Sequence, residues 1–309
     1  MLRFDDRWVW DSWLADDGER YHLFYLQAPR SPSSPDLRHF RVSIGHAVSR
    51  DLSSWEVLPT ALRPAPSPRW DDYTTWTGSV VRAPDGRWLM FYTGTSRAED
   101  GLIQRIGAAA STDLLTWQRL DTPPVEADTR WYERLDLASW PDEAWRDPYV
   151  FPDPEGDGWH MLITARAHDG PPDRRGVIGH ARSNDLLTWE VQPPLTDPGT
   201  FGHLEVPQVV NMASQPVLVF SCHRAQIPAE RRAGVGSRGV WSVAAPTLLG
   251  PFDPGRATVF DHPSLYAARL IRDRSRQWNL LGFRYDEDGA FIGEIADPIP
   301  VEEVSGALK

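Results

Sequence analysis

Three short segments of the chain each carry a carboxylate beside aromatic or basic residues. The carboxylates are Asp11 in VWDSW, Asp147 in RDPYVF and Glu205 in EVPQVV. Two facing carboxyl groups can cleave a glycosidic bond, because one protonates the leaving oxygen while the other, ionised, attacks the anomeric carbon or activates water. Repulsion between neighbouring carboxylates drives their pKa values apart, which would divide these roles among the three acids. If the acids converge in space, they predict cleavage or transfer of a sugar unit.

The residues around these acids include side chains that suit a sugar ligand. Tryptophan offers a flat apolar face to sugar C–H bonds and a polar edge to hydroxyl groups. The tryptophans of these segments and of a fourth, WTGSVV, are Trp10, Trp13 and Trp76. We expect Arg146 to hold Asp147 ionised, since an adjacent cation favours the charged form of a carboxyl group. Thr77 and His203 are further candidates for contacts with the substrate.

The acidic segments belong to a unit that recurs along the chain. One phrase reads IGHAVSRDLSSWEVLP from Ile44, IGAAASTDLLTWQRL from Ile106 and IGHARSNDLLTWEVQP from Ile178, with weaker copies from Val240 and Phe291. A short apolar strand precedes each copy, as in YHLFYLQ, WLMFYTG and WHMLITAR. Self-similarity of this kind is typical of repeat architectures such as propellers.

These repeats predict an all-β protein, a single five-bladed β-propeller domain over residues 1–309. Each unit of roughly 50 to 70 residues holds three recognisable strands and room for a fourth, as a propeller blade requires. The segments with the acids are the first strands of their blades, which line the central channel. We therefore expect the three acids at equivalent positions facing one mouth of that channel. The polar, Trp-rich insertion at 120–145 has room for a short helix.

The repeated phrase S-x-D-L-x-x-W is interpreted as architecture rather than chemistry. Ser and Asp favour the start of a tight turn, and the following tryptophan can pack between blades. This interpretation applies to Trp55, Trp117 and Trp189. His46 and His180 stand at matching positions of two repeats, which favours a structural role for both.

Composition and charge narrow the classes of function. The chain has 309 residues and 41% hydrophobic side chains, enough for a large core. A net charge of −11 argues against nucleic acids and anionic membranes as partners, because both bind cationic patches. The single cysteine, Cys222, excludes an intrachain disulfide and is interpreted as a buried apolar side chain. Nine histidines show no H-E-x-x-H spacing, so we expect neither a metal site nor a cofactor.

The chain shows no sign of membrane insertion or export. Apolar runs fall well short of the roughly 20 residues that span a bilayer. The first residues, MLRFDDRWVWDSW, contain no basic region followed by an apolar one, as a secretory signal would. We therefore expect a cytoplasmic protein whose partner is a small carbohydrate, with the oligomeric state left open.

Four segments together resemble the signature blocks of the β-fructosidase clan of five-bladed propellers. The clan includes glycoside hydrolase family 32 (invertases, inulinases and levanases) and family 68 (levansucrases), and family 43 shares the propeller. The blocks occur in the clan's order and extend over nearly the whole chain. They are Trp10-Asp11-Ser12-Trp13, Trp76-Thr77-Gly78-Ser79, Arg146-Asp147-Pro148 and Glu205-Val206-Pro207.

The resemblance implies a role for each acid. Asp11 would be the nucleophile, Asp147 would bind sugar hydroxyls and stabilise the transition state, and Glu205 would be the general acid/base. Arg224, in FSCHR, resembles a substrate-contacting arginine of family 68. The implied activity is hydrolysis or transfer, with retention of configuration, on a β-fructofuranoside such as sucrose or a short fructooligosaccharide.

Two alternatives stay open on the sequence alone. In an inverting arabinofuranosidase or xylosidase of the family 43 type, the same acids would be base, pKa modulator and acid. In a propeller that binds sugar without cleaving it, the pocket would persist without catalysis. Turnover of aryl pentosides distinguishes the first from a fructosidase, and binding without turnover identifies the second.

Overall fold

The computed structural model describes residues 1–31, 33–213, 215–232, 238–262, 264–304 and 307–309. Five antiparallel sheets follow one another along the chain as the blades of a β-propeller, so the predicted fold is confirmed. In each blade the first strand is innermost and later strands add outwards in sequence order.

Each of the first three blades has four strands. Blade 1 holds β1 (Arg7–Asp16), β2 (Tyr21–Pro29), β3 (Ser43–Ser49) and β4 (Glu56–Leu62). Blade 2 holds β5 (Thr74–Arg82), β6 (Trp88–Thr95), β7 (Arg105–Ser111) and β8 (Gln118–Arg119). Blade 3 holds β9 (Trp145–Pro152), β10 (Trp159–Arg166), β11 (Gly176–Ser183) and β12 (Glu190–Gln192).

The last two blades complete the ring. Blade 4 holds β13 (Glu205–Met212), β14 (Gln215–His223), β15 (Arg238–Ala244) and β16 (Thr258–Val259). Blade 5 holds β17 (Leu265–Arg272), β18 (Trp278–Glu287) and β19 (Ala290–Ile295), with β20 (Ile299–Pro300) also paired to β18. A final hairpin joins β21 (Glu303–Val304) to β22 (Ala307–Leu308).

Helical structure in the described residues is limited to short 3₁₀ segments between strands. They are Pro35–Phe40, Arg97–Glu99, Pro172–Arg174, Arg224–Gln226, Ala229–Arg231 and Pro254–Arg256. The insertion at 120–145 forms turns and not the expected helix. Backbone N–H groups of this segment bond to residues outside it rather than along a helix: that of Glu133 donates to the oxygen of Arg166 (2.8 Å) and that of Glu143 to the oxygen of Leu102 (2.9 Å).

The N-terminal segment contacts blade 5 where the ring closes. Backbone hydrogen bonds run both ways between Leu2 and Ile295, each 3.0 Å long, so the N-terminal segment adds to the edge of blade 5. The second strands, such as β2, are buried on both faces because neighbouring blades cover them. This explains why they read as continuous apolar runs rather than alternating ones.

The repeated S-x-D-L-x-x-W phrase forms the same turn in three blades. In the first copy, Asp51 accepts hydrogen bonds from the backbone N–H groups two and three residues further on (2.9 and 2.7 Å). Trp117 of blade 2 packs edge-on against Phe24 of blade 1, and Trp189 of blade 3 packs likewise against Phe91 of blade 2. The prediction of packing between blades is confirmed for Trp117 and Trp189, and it stays a prediction for Trp55.

The matched histidines lie inside blades 1 and 3. His46 bonds to His22 on the adjacent strand (3.0 Å), and His180 bonds to His160 in the same way (2.9 Å). All four rings are buried. Burial lowers the pKa of His46 to about 3 and that of His180 to about 4, so both imidazoles are neutral near pH 7. Their contacts agree with the structural role predicted for them.

Candidate active site

Every innermost strand has a β-bulge at the level of one channel mouth. The pairing register shifts there in each of the five blades. The first unpaired residues of the five bulges are Asp11, Thr77, Asp147, Val206 and Ala267. Three of them, Asp147, Val206 and Ala267, have left-handed backbones with φ of 60°, 52° and 47°. Such bulges redirect side chains and are common beside functional sites.

The register corrects one expectation about the three acids. Asp11 and Asp147 occupy the bulge itself, but Glu205 stands one residue earlier, because the bulge of β13 begins after it. The positions equivalent to Glu205 in the other blades are Trp10, Trp76, Arg146 and Tyr266. The prediction that all three acids are structurally equivalent is therefore wrong for Glu205.

All three acids nevertheless line one cavity of about 550 Å³ at this mouth. The cavity also includes five of the residues that the sequence predicts to contact a sugar. They are Trp10, Trp76, Thr77, Arg146 and His203. The indole N–H of Trp76 donates to the backbone oxygen of His39 (3.0 Å), so this tryptophan offers a sugar its face and not its polar edge.

Two predicted contacts lie elsewhere. Trp13 is 2% exposed and stacks on Phe24 (6.3 Å between centroids), in the core beyond the bulge. Arg224 is an exposed residue of the 3₁₀ segment after β14, and its guanidinium donates to the backbone oxygen of Arg232 (2.7 Å). Among the described residues that line the acidic cavity, neither Trp13 nor Arg224 is present, so the structure does not support these two as substrate contacts.

Asp11 is held by the neighbouring blade. The hydroxyl of Thr77 donates to Oδ2 of Asp11 (2.6 Å). Burial raises the pKa of Asp11, and the nearby charge of Asp147 raises it further, to about 7. The hydrogen bond from Thr77 acts in the opposite direction but does not cancel these two effects.

Asp147 is fixed from three sides. Its backbone N–H donates to the hydroxyl of Thr93 (3.0 Å). Its Oδ2 accepts from the hydroxyl of Thr164 (2.8 Å) and from the backbone N–H of Val206 (3.2 Å). Burial raises the pKa of Asp147, although the charge of Arg146 opposes this. The carboxyl group is therefore rigidly placed for contacts with a ligand.

Glu205 has the strongest partners of the three acids. Arg146 donates from Nη2 to Oε1 of Glu205 (2.6 Å), and the hydroxyl of Tyr266 donates to Oε2. Burial alone would raise the pKa of Glu205, but the hydrogen bond from His203 and the charge of Arg146 hold it well below its usual range. Arg146 lies 3.8 Å from Asp147, so its main partner is Glu205 and not the expected Asp147.

In the free site the proton therefore resides on Asp11, whereas the predicted roles require it on Glu205. A nucleophile must be ionised, yet the pKa of Asp11 is about 7. A general acid must be protonated, yet the pKa of Glu205 is held well below its usual range. At mildly acidic pH a proton shared by this pair resides mainly on Asp11.

Sequence reasoning missed several residues of the cavity. They include His39, Gln104, Trp140, Arg238 and Tyr266. Tyr266 could have been found, because YAARLI is the fifth copy of the strand that carries the acids. Trp140 comes from the irregular insertion at 120–145, which has no repeat to mark it. Its ring packs edge-on against that of His203 (4.7 Å).

The described residues contain no cluster of three or more His, Cys, Asp or Glu side chains arranged to bind a metal ion. In the same part of the chain, no helix is long and apolar enough to cross a membrane.

Residues 13–288 match the model of the glycosyl hydrolases family 32 N-terminal domain. The chain belongs to glycosyl hydrolase family 32. The matched residues include Asp147 and Glu205, and the match begins two residues after Asp11. It confirms the resemblance to the β-fructosidase clan.

Two known proteins that are similar to this family 32 chain are named as a β-fructofuranosidase and a sucrase. It is 25% identical over 267 residues to an insoluble β-fructofuranosidase of Arabidopsis thaliana, over 82% of this chain and 46% of the relative. It is 26% identical over 350 aligned positions to the extracellular sucrase of Zymomonas mobilis, over 98% of this chain and 81% of the relative. The chain thus spans less than half the length of the plant enzyme.

A solved structure shows the same fold. The inulosucrase of Halalkalicoccus jeotgali, bound to kestose, matches with a TM-score of 0.77 at 23% identity, over 99% of this chain and 89% of that one. At this identity the likeness shows the five-bladed propeller alone.

Proposed function

We propose that this family 32 chain cleaves or transfers a β-fructofuranosyl unit, with sucrose or a short fructooligosaccharide as the glycosyl donor. The observation that carries the proposal is the convergence of Asp11, Asp147 and Glu205 in one cavity at the channel mouth. The names of the two relatives and the kestose bound to the inulosucrase support the choice of sugar.

The proposed mechanism retains the configuration of the anomeric carbon. An oxygen of Asp11 attacks that carbon, while Glu205 gives a proton to the departing glycosidic oxygen. Water or a sugar hydroxyl then displaces Asp11 from the anomeric carbon and gives its proton to Glu205. The rigid carboxyl group of Asp147 binds sugar hydroxyls and stabilises the positive charge that develops on the ring.

The shared proton of Asp11 and Glu205 is compatible with this mechanism. The productive state, with Asp11 ionised and Glu205 protonated, has the same total charge as the state that dominates in the free site. Substrate hydroxyls that take hydrogen bonds from Arg146 would weaken its hold on Glu205 (2.6 Å) and favour proton transfer to that acid. Binding of the sugar would therefore raise the population of the productive state.

We expect the pH profile of kcat/KM to be bell-shaped, with its alkaline limb near the pKa of Asp11, about 7. Above this pH the pair loses its shared proton and no general acid remains. Below the pKa of Glu205 both groups are protonated and no nucleophile remains. Initial rates on sucrose from about pH 4 to about pH 9 measure the profile. A kcat/KM that is still flat at about pH 9 contradicts the assignment.

A product-resolved substrate screen tests the proposed function. Sucrose and 1-kestose are compared with aryl arabinofuranosides and aryl xylosides, and methanol is added as an acceptor. We expect release of fructose and formation of methyl β-fructofuranoside, which shows retention. Formation of the α-fructofuranoside, or turnover of the pentosides without turnover of sucrose, overturns the proposal in favour of inverting chemistry. Binding of sucrose with no turnover of any glycoside identifies a sugar-binding propeller instead.

A further inference from the structure

One buried cation lies in the central channel beyond the three acids. Arg269, on the innermost strand of blade 5, is 3% exposed. It lines a second cavity of about 370 Å³. Apart from Trp278 of β18, the other residues that line this cavity lie further along the innermost strands than those of the acidic pocket. Arg269 therefore stands between the pocket and the opposite part of the channel.

The guanidinium of Arg269 joins the backbones of two other blades. It donates from Nη1 to the backbone oxygen of Pro207 (2.5 Å) and from Nη2 to that of Gly78 (3.4 Å). Pro207 directly follows Val206, and Gly78 directly follows Thr77. Both of these preceding residues are at a bulge.

These two bulges are the parts of the backbone that hold the aspartates. Thr77 donates its hydroxyl to Asp11 (2.6 Å), and Val206 donates its backbone N–H to Asp147 (3.2 Å). The Arg269 side chain thus bonds to the residue that follows each of these two, and so it fixes the segments that position both aspartates. The bonds connect blade 5 to its neighbour, blade 4, and past blade 1 to blade 2.

The charge of Arg269 is compensated by the same aspartates. Among the described residues no carboxylate forms an ion pair with Arg269 within 4.0 Å, so these aspartates act on its charge from a greater distance. Burial lowers the pKa of Arg269 to about 10, and the neighbouring Tyr149, followed by the charges of Asp147 and Asp11, only partly offsets this effect. The attraction is mutual, so the arginine favours the ionised forms of both aspartates in a channel that is shielded from water.

We propose that Arg269 is a positioning residue for the reaction: it fixes the bulges that hold Asp11 and Asp147 and supplies the positive charge that favours ionised Asp11. The inference rests on the proposed function, because it assigns Asp11 as the nucleophile. A purely structural role would require the two backbone bonds and not the charge. The two roles therefore differ in the pH profile, which a loss of packing alone does not move.

The test compares Arg269→Met with Arg269→Lys by the pH profile of kcat/KM on sucrose. Without the cation the pKa of Asp11 rises, so the alkaline limb of Arg269→Met should move to higher pH, with kcat/KM about tenfold lower at the optimum. Arg269→Lys keeps the charge and should keep the limb of the unaltered protein. Arg272→Met, which alters another arginine of the same strand and second cavity, is the matched control and should change neither value.

Each outcome decides between the roles. An alkaline limb that stays in place in Arg269→Met, with lower thermal stability alone, overturns the proposal and leaves a structural arginine. If Arg269→Met does not fold, Arg269→Gln removes the charge while keeping a donor for Pro207, and the same shift is required of it. The proposed function fails separately, if the unaltered protein turns over no fructoside at all.

Discussion

Asp11→Asn should lower kcat/KM on sucrose by about 10⁵-fold, because an amide cannot form the covalent bond to the anomeric carbon that a nucleophile must form. The substitution keeps the shape of the side chain, and the amide oxygen can still accept the hydrogen bond from Thr77 (2.6 Å in the unaltered site). Binding of sucrose should therefore survive, which calorimetry on the variant measures directly.

The matched control for this prediction is Asp16→Asn. Asp16 is an exposed carboxylate on the same strand, paired with Arg274 and outside the acidic pocket. We expect this variant to keep its activity. Normal turnover by Asp11→Asn, with the control also active, would remove Asp11 from the mechanism and with it the retaining proposal.

Glu205→Gln should lower kcat/KM on sucrose by about 10³-fold, since the loss of a general acid costs 10²- to 10⁴-fold. Glutamine can still accept a hydrogen bond from Arg146 but cannot give a proton to the departing glucose. The loss should be much smaller in kcat/KM for β-fructosyl fluoride, because fluoride leaves without a proton. Comparison of the two donors therefore isolates the acid step.

The second step, in which Glu205 acts as general base, offers a further readout on the same variant. Azide needs no general base, so added azide should restore turnover of β-fructosyl fluoride by Glu205→Gln and yield β-fructosyl azide. Glu190→Gln, at an exposed position of blade 3, is the control and should behave like the unaltered protein. Equal losses of kcat/KM on both donors would show that Glu205 is not the general acid.

The architecture was predictable because its signals are local. The S-x-D-L-x-x-W turn is made by hydrogen bonds between residues two or three apart, so each copy can be recognised in the sequence by itself. A run of such turns and apolar strands specifies blades. The segments that carry Asp11, Asp147 and Glu205 were found for the same reason, as the first strand of a repeated unit.

Errors arose where position depends on register or on contacts between blades. Glu205 precedes its bulge by one residue, and a bulge leaves no clear mark in the sequence. Trp13 packs in the core because, beyond the bulge, the innermost strand turns this side chain away from the pocket. Arg224 follows a strand of the correct blade but is exposed.

The five-bladed fold and the three acids were predictable, because the turns and strands that mark them repeat along the chain. Two interactions depend on the folded ring: the pairing of Arg146 with Glu205 rather than with its neighbour Asp147, and the bonds of Arg269 to blades 4 and 2. Interactions of this kind join residues about 60 or more positions apart, and Coulomb energy depends on distance through space and not along the chain. The protonation of the site was for this reason a property of the folded ring alone.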